Sequence, residues 1–171
     1  AIGRPTWSAT RRQVPGFTPR IAGSNSTAPS GAAAATAAAK LSAAAPTVAE
    51  LADAGVRVQI GHTLGSYEDG VAALEHGAMG FTHLFNAMPP FAHRDPGVVG
   101  AASDYARHVE MISDGVHLHP AVVRSVFRLF GDERVCLISD SMRAAGMPNG
   151  VYSLGGQTVY MTDGKATLED G

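Results

Sequence analysis

Seven histidines lie between positions 62 and 119 of this 171-residue chain. Two of them, and two aspartates, stand just past short apolar or β-branched runs. The run 56–60 (VRVQI) leads into Gly61-His62, and Met79–Thr82 leads into His83 and then Asn86. The run 109–113 (VEMIS) leads into Asp114-Gly115-Val116-His117, and 135–139 (VCLIS) leads into Asp140. One histidine behind one strand is ordinarily structural. Four successive strands with His or Asp at the same end point to a site, because the carboxyl ends of the strands form the catalytic face of a (β/α) barrel. Two neutral imidazoles from adjacent strands suit a divalent metal. Such an ion polarises a carbonyl and acidifies a bound water. An aspartate at another strand end can take a proton and pass it to a leaving group. Residue type and spacing thus indicate metal-assisted hydrolysis and leave the substrate open.

The elements that must carry these residues alternate. Thr47-Val-Ala-Glu50 reads as a capping box opening a short helix that Gly55 ends. Ser66–Asp69 opens a second helix with Tyr67, Val71, Leu74 and Ala78 at helical spacing. Pro120 starts another, with Val122, Val123, Val126, Phe127 and Phe130 on one face and Gly131 at its end. Strands are expected at 56–60, Met79–Leu84, His108–Ser113 and Arg134–Ser139. Alternating strands and helices imply βαβ units and a parallel sheet. After position 150 the grammar changes: Gly155-Gly156 and Asp163-Gly164 are hairpin turns between short alternating runs, which predicts an antiparallel meander.

The composition is asymmetric. Of the 13 Lys and Arg, five lie before position 50, where there is no Asp or Glu; all 15 acids and all seven histidines follow. Residues 31–45 contain ten alanines. The segment 1–45 is therefore expected to be low in complexity. Three readings compete: a disordered leader, text translated out of frame, or an organelle transit peptide. The formal net charge of −2 argues against general nucleic-acid binding, and no apolar run approaches the roughly 18 residues of a membrane span. A single cysteine, Cys136, fits a reducing compartment such as the cytoplasm and is expected to be a buried strand thiol.

The strings GHTLGSYEDGVAALEHGAMGFTHLFNAMPPFAHRDPGVVGAA, ISDGVHLHP and LISDSMRAAGMPNGVYSLGG resemble the N-acetylglucosamine-6-phosphate deacetylase family of the amidohydrolase superfamily. The resemblance runs from about Pro46 to Gly171, through GHT, THLFNAM, R-D-P-G, D-G-V-H and S-D-S in that order. It implies a partial metal-dependent (β/α)₈ hydrolase barrel of about four βα units over 46–150. The start of a β-sandwich portion would follow over 151–171. It also implies hydrolysis of the acetamide of N-acetylglucosamine 6-phosphate to glucosamine 6-phosphate and acetate.

Carried over position by position, the resemblance makes His62 and His83 metal ligands and Asp140 the catalytic acid/base. Asn86, Ala87 and Arg94 fall at the sugar phosphate, and Asp114, Gly115, Val116 and His117 on a substrate-binding loop. The implied cofactor is a divalent ion, zinc foremost, with iron or another as alternatives. The implied partner is a small amino-sugar phosphate, and full-length members are expected to be homo-oligomers. Ser141 departs from the family's usual alanine. His76, His93, His108 and His119 match no functional position and are expected to be surface or capping residues.

The family's glutamate ligand, in an early H-x-E-G-P-like motif, has no counterpart, since no acid precedes Glu50. The chain therefore reads as the second half of a barrel truncated at both ends, inactive alone. Two alternatives stay open: a non-catalytic sugar-phosphate-binding or partner-binding fragment, and a deacetylase of N-acetylgalactosamine 6-phosphate.

Overall fold

A computed structural model describes residues 34–37 and 41–168. Within them strand and helix alternate as β1 (Ala34–Ala37), α1 (Leu41–Asp53), β2 (Arg57–Ile60), α2 (Tyr67–Glu75), β3 (Gly80–Phe81), α3 (Gly97–Tyr105), β4 (His108–Ile112), α4 (Pro120–Phe130) and β5 (Val135–Ile138). All five strands are parallel, in the order β1-β2-β3-β4-β5. A doubly wound sheet reverses its strand order at a switch point, whereas right-handed crossovers repeated without reversal put the helices on one side and bend the sheet into an arc of a barrel. A separate antiparallel meander follows: β6 (Gly150–Leu154), β7 (Gln157–Thr162) and β8 (Lys165–Thr167). Its turns are Gly155-Gly156 and Asp163-Gly164, as the sequence predicts.

Local chemistry explains three of the helix ends. Ser66 caps α2 with a complete capping box: its hydroxyl accepts from the Asp69 amide at 3.2 Å, and the Asp69 carboxylate accepts from the Ser66 amide at 3.0 Å. The His119 side chain caps α4, accepting from the Ala121 amide at 3.1 Å. Gly55, at φ +82°, closes α1, with the Val56 amide reaching back to the Leu51 carbonyl at 2.9 Å.

Helix α1 itself departs from the expected capping box at Thr47. It starts at Leu41 and runs through Pro46, the alanines at 43–45 having the highest helix propensity. Residues 34–37 and 41–45 of the low-complexity segment therefore belong to a strand and a helix; its remaining residues lie outside those described. Helix α3 was not foreseen, although Pro96 precedes it and Val98, Ala101, Ala102 and Tyr105 recur at helical spacing.

The core lies between sheet and helices. Val58, Ile60, Phe81, Val109 and Met111 project from the sheet against Val48, Ala73, Val98, Val99, Ala102, Val126 and Phe130. The register aligns Gln59, Gly80 and His108 in a row across three strands. Gly80 lets its neighbours meet: the Gln59 amide contacts His108 Nε2 across it. A Cβ built at Gly80 would sit 2.1 Å from the His108 carbonyl oxygen. Gly80→Ala should therefore destabilise the fold by about 1–3 kcal/mol, read as a lower midpoint in urea.

Two expectations are corrected here. His108 is neither a surface nor a capping residue; it is half-buried in β4 against Gln59. Burial lowers its pKa, the nearby Glu110 carboxylate opposes that shift, and Arg107 and Arg57 add to it. The folded state then binds fewer protons than the unfolded chain, so stability is full above the unfolded value of about 6.5 and falls as pH drops through it. Replacing His108 with Gln should flatten that slope in urea titrations between about pH 7 and pH 5. Cys136, in turn, is exposed, not buried. It lies on β5, the last strand of the sheet, and its neighbour Leu137 is 63% exposed; among the described residues no further strand pairs beyond β5.

Candidate active site

His62, His83, Asp114 and Asp140 share one position in the fold. Each is the second residue beyond the end of its strand, after Ile60, Phe81, Ile112 and Ile138. Ile60 pairs with Phe81, and Ile112 pairs with Ile138, so His62 and His83 leave the sheet at one level and Asp114 and Asp140 at another. Three of the four have left-handed backbones: φ is 47° at His62, 31° at His83 and 48° at Asp140. Non-glycine residues adopt this region in only a few per cent of cases. Such strain gathers where a surrounding fold holds functional side chains in place. On the loop after β4, Gly115 has φ +79°, a conformation that glycine adopts without strain.

His62 and His83 come together. Their rings are edge to face, at 90°, with centroids 4.5 Å apart. His83 is 6% exposed, and its Nδ1 is buried without a hydrogen-bond partner, whereas His62 is open to solvent. A buried imidazole nitrogen left without a partner is costly unless something ligates it, and paired neutral imidazoles are a donor set for zinc and related ions. The two residues fit a metal and would supply two of the three protein ligands that catalytic zinc usually has. Among the described residues no set of three or more His, Cys, Asp or Glu side chains converges to hold an ion. Asp140 is exposed and stands apart from the histidine pair in that sense.

The loop after β3 is tightly braced. Asn86 donates through its side-chain amide to the carbonyls of His83 (3.1 Å) and Leu84 (3.3 Å), and its own backbone amide donates to His83 (2.9 Å). The Leu84 amide donates to the Glu110 carbonyl on β4 at 2.8 Å. Phe85 and Ala87 are left-handed at φ 75° and 50°, so left-handed residues recur at every second position from His83 to Ala87. Ala87 and Arg94 are exposed.

After β4, Asp114 folds its loop onto itself. One carboxylate oxygen accepts from the Val116 and His117 amides, each at 2.9 Å, and the other meets His117 Nδ1 at 2.7 Å. Slight desolvation pushes the Asp114 carboxyl up, but these two amides and the imidazole outweigh it and hold the pKa below its ordinary value. Sequence reasoning missed a further bond, from the Thr82 hydroxyl to the Glu110 carboxylate, which ties β3 to β4 beside His83. A strict alternation of faces in the two strands was the signal for it.

No family model matches the chain. It is 46% identical over 125 residues to the N-acetylglucosamine-6-phosphate deacetylase of Lysinibacillus sphaericus, covering 72% of this chain and 32% of that protein. It is 42% identical over 117 residues to the N-acetylgalactosamine-6-phosphate deacetylase of Escherichia coli O157:H7, covering 68% and 31%. The crystal structure of N-acetyl-D-glucosamine-6-phosphate deacetylase from Mycobacterium smegmatis superposes with a TM-score of 0.76 at 39% identity, over 81% of this chain and 37% of that one. The chain spans about a third of the length of the curated relatives it matches. In sequence and in fold it is related to a stretch of these deacetylases, and its parallel sheet is part of a barrel of their kind.

Proposed function

From this kinship with the N-acetylglucosamine-6-phosphate deacetylases, we propose that the chain carries catalytic strand ends of a metal-dependent hydrolase. That hydrolase converts N-acetylglucosamine 6-phosphate to glucosamine 6-phosphate and acetate. The observation that carries the reading is the His62–His83 pair behind two paired strands, with a buried imidazole nitrogen left free for a ligand. A divalent ion held there, zinc foremost and iron as an alternative, would polarise the acetamide carbonyl and acidify a water. Asp140 takes the proton of the attacking water and returns it to the departing amine nitrogen. Arg94 and the Asn86–Ala87 turn hold the phosphate, the former as a charged fork. Gly115 and Val116 shape the loop that brings His117 to the sugar. The whole enzyme would be a cytoplasmic homo-oligomer of amino-sugar catabolism.

Two other readings each have an observation in their favour. The absence of a third metal ligand among the described residues favours a non-catalytic sugar-phosphate-binding role for the isolated chain. The 42% identity to an N-acetylgalactosamine-6-phosphate deacetylase keeps the epimer in play. Titrating the zinc-loaded 171-residue chain with each sugar phosphate, followed by backbone amide NMR, tests the proposal. Shifts at Asn86, Ala87 and Arg94 are expected, and Arg94→Ala should weaken binding by about tenfold, as loss of a charge-assisted contact of about 1.5 kcal/mol would. Binding indifferent to Arg94 and to the phosphate group would reject it. With two metal ligands in place of three, this chain alone should release little acetate over hours.

A further inference from the structure

We infer that Asp114 is a positioning residue for His117 and not a ligand of the substrate. The inference rests on the deacetylase reading only in placing His117 beside the sugar; the geometry of the pair stands without it. Both Asp114 oxygens are engaged within the loop, Oδ1 by the Val116 and His117 amides and Oδ2 by His117 Nδ1. Three of the carboxylate's roughly four acceptor sites are thereby filled, which leaves little of it for a sugar hydroxyl. It does fix the ring.

An ionised carboxylate only accepts hydrogen bonds, so the contact requires a proton on Nδ1. The neutral imidazole then has a bare Nε2, and any proton that His117 gains or gives up sits on that atom alone. The two side chains are 44% and 42% exposed, so the ion pair itself adds little to stability. What it contributes is direction: Oδ1 ties down the loop backbone while Oδ2 sets tautomer and ring plane. His117 thereby presents one defined nitrogen to the amide of the substrate, able to hold or hand over a proton there. An unconstrained surface histidine would present a mixture of tautomers and rotamers.

The test is long-range ¹H–¹⁵N NMR of the imidazoles in the ¹⁵N-labelled 171-residue chain, recorded above the titration range of histidine. Wild-type His117 is expected as the Nδ1–H tautomer. In Asp114→Asn the carboxamide oxygen can still accept the two backbone amides while its NH₂ faces the ring, so the tautomer should reverse to Nε2–H. Unchanged Val116 and His117 amide shifts would confirm that the loop remains closed. Should the loop open in this variant, the wild-type tautomer still decides: an Nε2–H His117 in the parent chain overturns the inference.

Adding N-acetylglucosamine 6-phosphate separates this inference from the reading beneath it. Movement of the Nε2 resonance in wild type, with roughly tenfold weaker binding in Asp114→Asn, supports both. The expected tautomer with no response to the sugar keeps the positioning pair and sinks the deacetylase reading. Equal binding by a variant with reversed tautomer overturns the positioning role.

Discussion

Replacing His83 with asparagine will abolish the zinc-dependent stabilisation of this chain. His83 is the buried member of the histidine pair, and its Nδ1 has no hydrogen-bond partner. A ligand that binds only the folded state stabilises it by about 2.7 kcal/mol at a hundredfold excess over its dissociation constant. The wild-type melting temperature should therefore rise several degrees with zinc, while that of the variant stays fixed. Changes around a metal site, outside its ligands, already cost about 10–100-fold in affinity, and loss of one ligand of two should cost more. Asparagine is the informative replacement because it tolerates the left-handed backbone at φ 31°, so the metal-free variant should melt close to wild type. Calorimetric titration with zinc measures the affinity directly. An unchanged zinc affinity in His83→Asn would exclude the pair as a metal site.

The second large effect concerns Asp140. Its activity is best read in a chimera in which residues 46–168 replace the homologous third of the L. sphaericus deacetylase, so that the remaining elements are supplied. There Asp140→Asn should lower kcat for N-acetylglucosamine 6-phosphate by about 10²–10⁴-fold with little change in KM, as expected when a general acid–base group is removed. Asp140 has φ 48°, which asparagine also accepts, so the backbone at the end of β5 should persist. A rise in KM alone would assign Asp140 to binding, and a fall in kcat accompanied by a loss of folded protein would assign it to structure.

The strand ends were legible in the sequence because two periodicities coincide there. Short β-branched runs set the strands, and polar residues placed just after them have no packing reason to recur four times. The α2 capping box at Ser66, the α4 start at Pro120 and the two hairpin turns were equally local, and they appear in the structure where sequence puts them. The misses have different causes. Helix α1 begins at Leu41 because alanine propensity outweighed the local signal at Thr47. Strand β3 shrinks to Gly80–Phe81 because the chain turns at once into the left-handed loop that carries His83. Cys136 reads as buried from its apolar neighbours, and only the strand order reveals that β5 is an edge among the described strands. At the site, sequence identified the types and order of His62, His83, Asp114, His117 and Asp140. It did not reveal that Asp114 spends both oxygens on its own loop, since that depends on a left-handed Gly115 and a three-residue reach.

Acetate release by the chimera decides whether these strand ends are the working part of a metal-dependent deacetylase. With zinc bound, the chimera bearing this chain's residues should hydrolyse N-acetylglucosamine 6-phosphate at a rate within about tenfold of the parent enzyme, a difference of about 1.4 kcal/mol in the barrier. A folded, zinc-loaded chimera that releases no acetate would show that these strand ends are not.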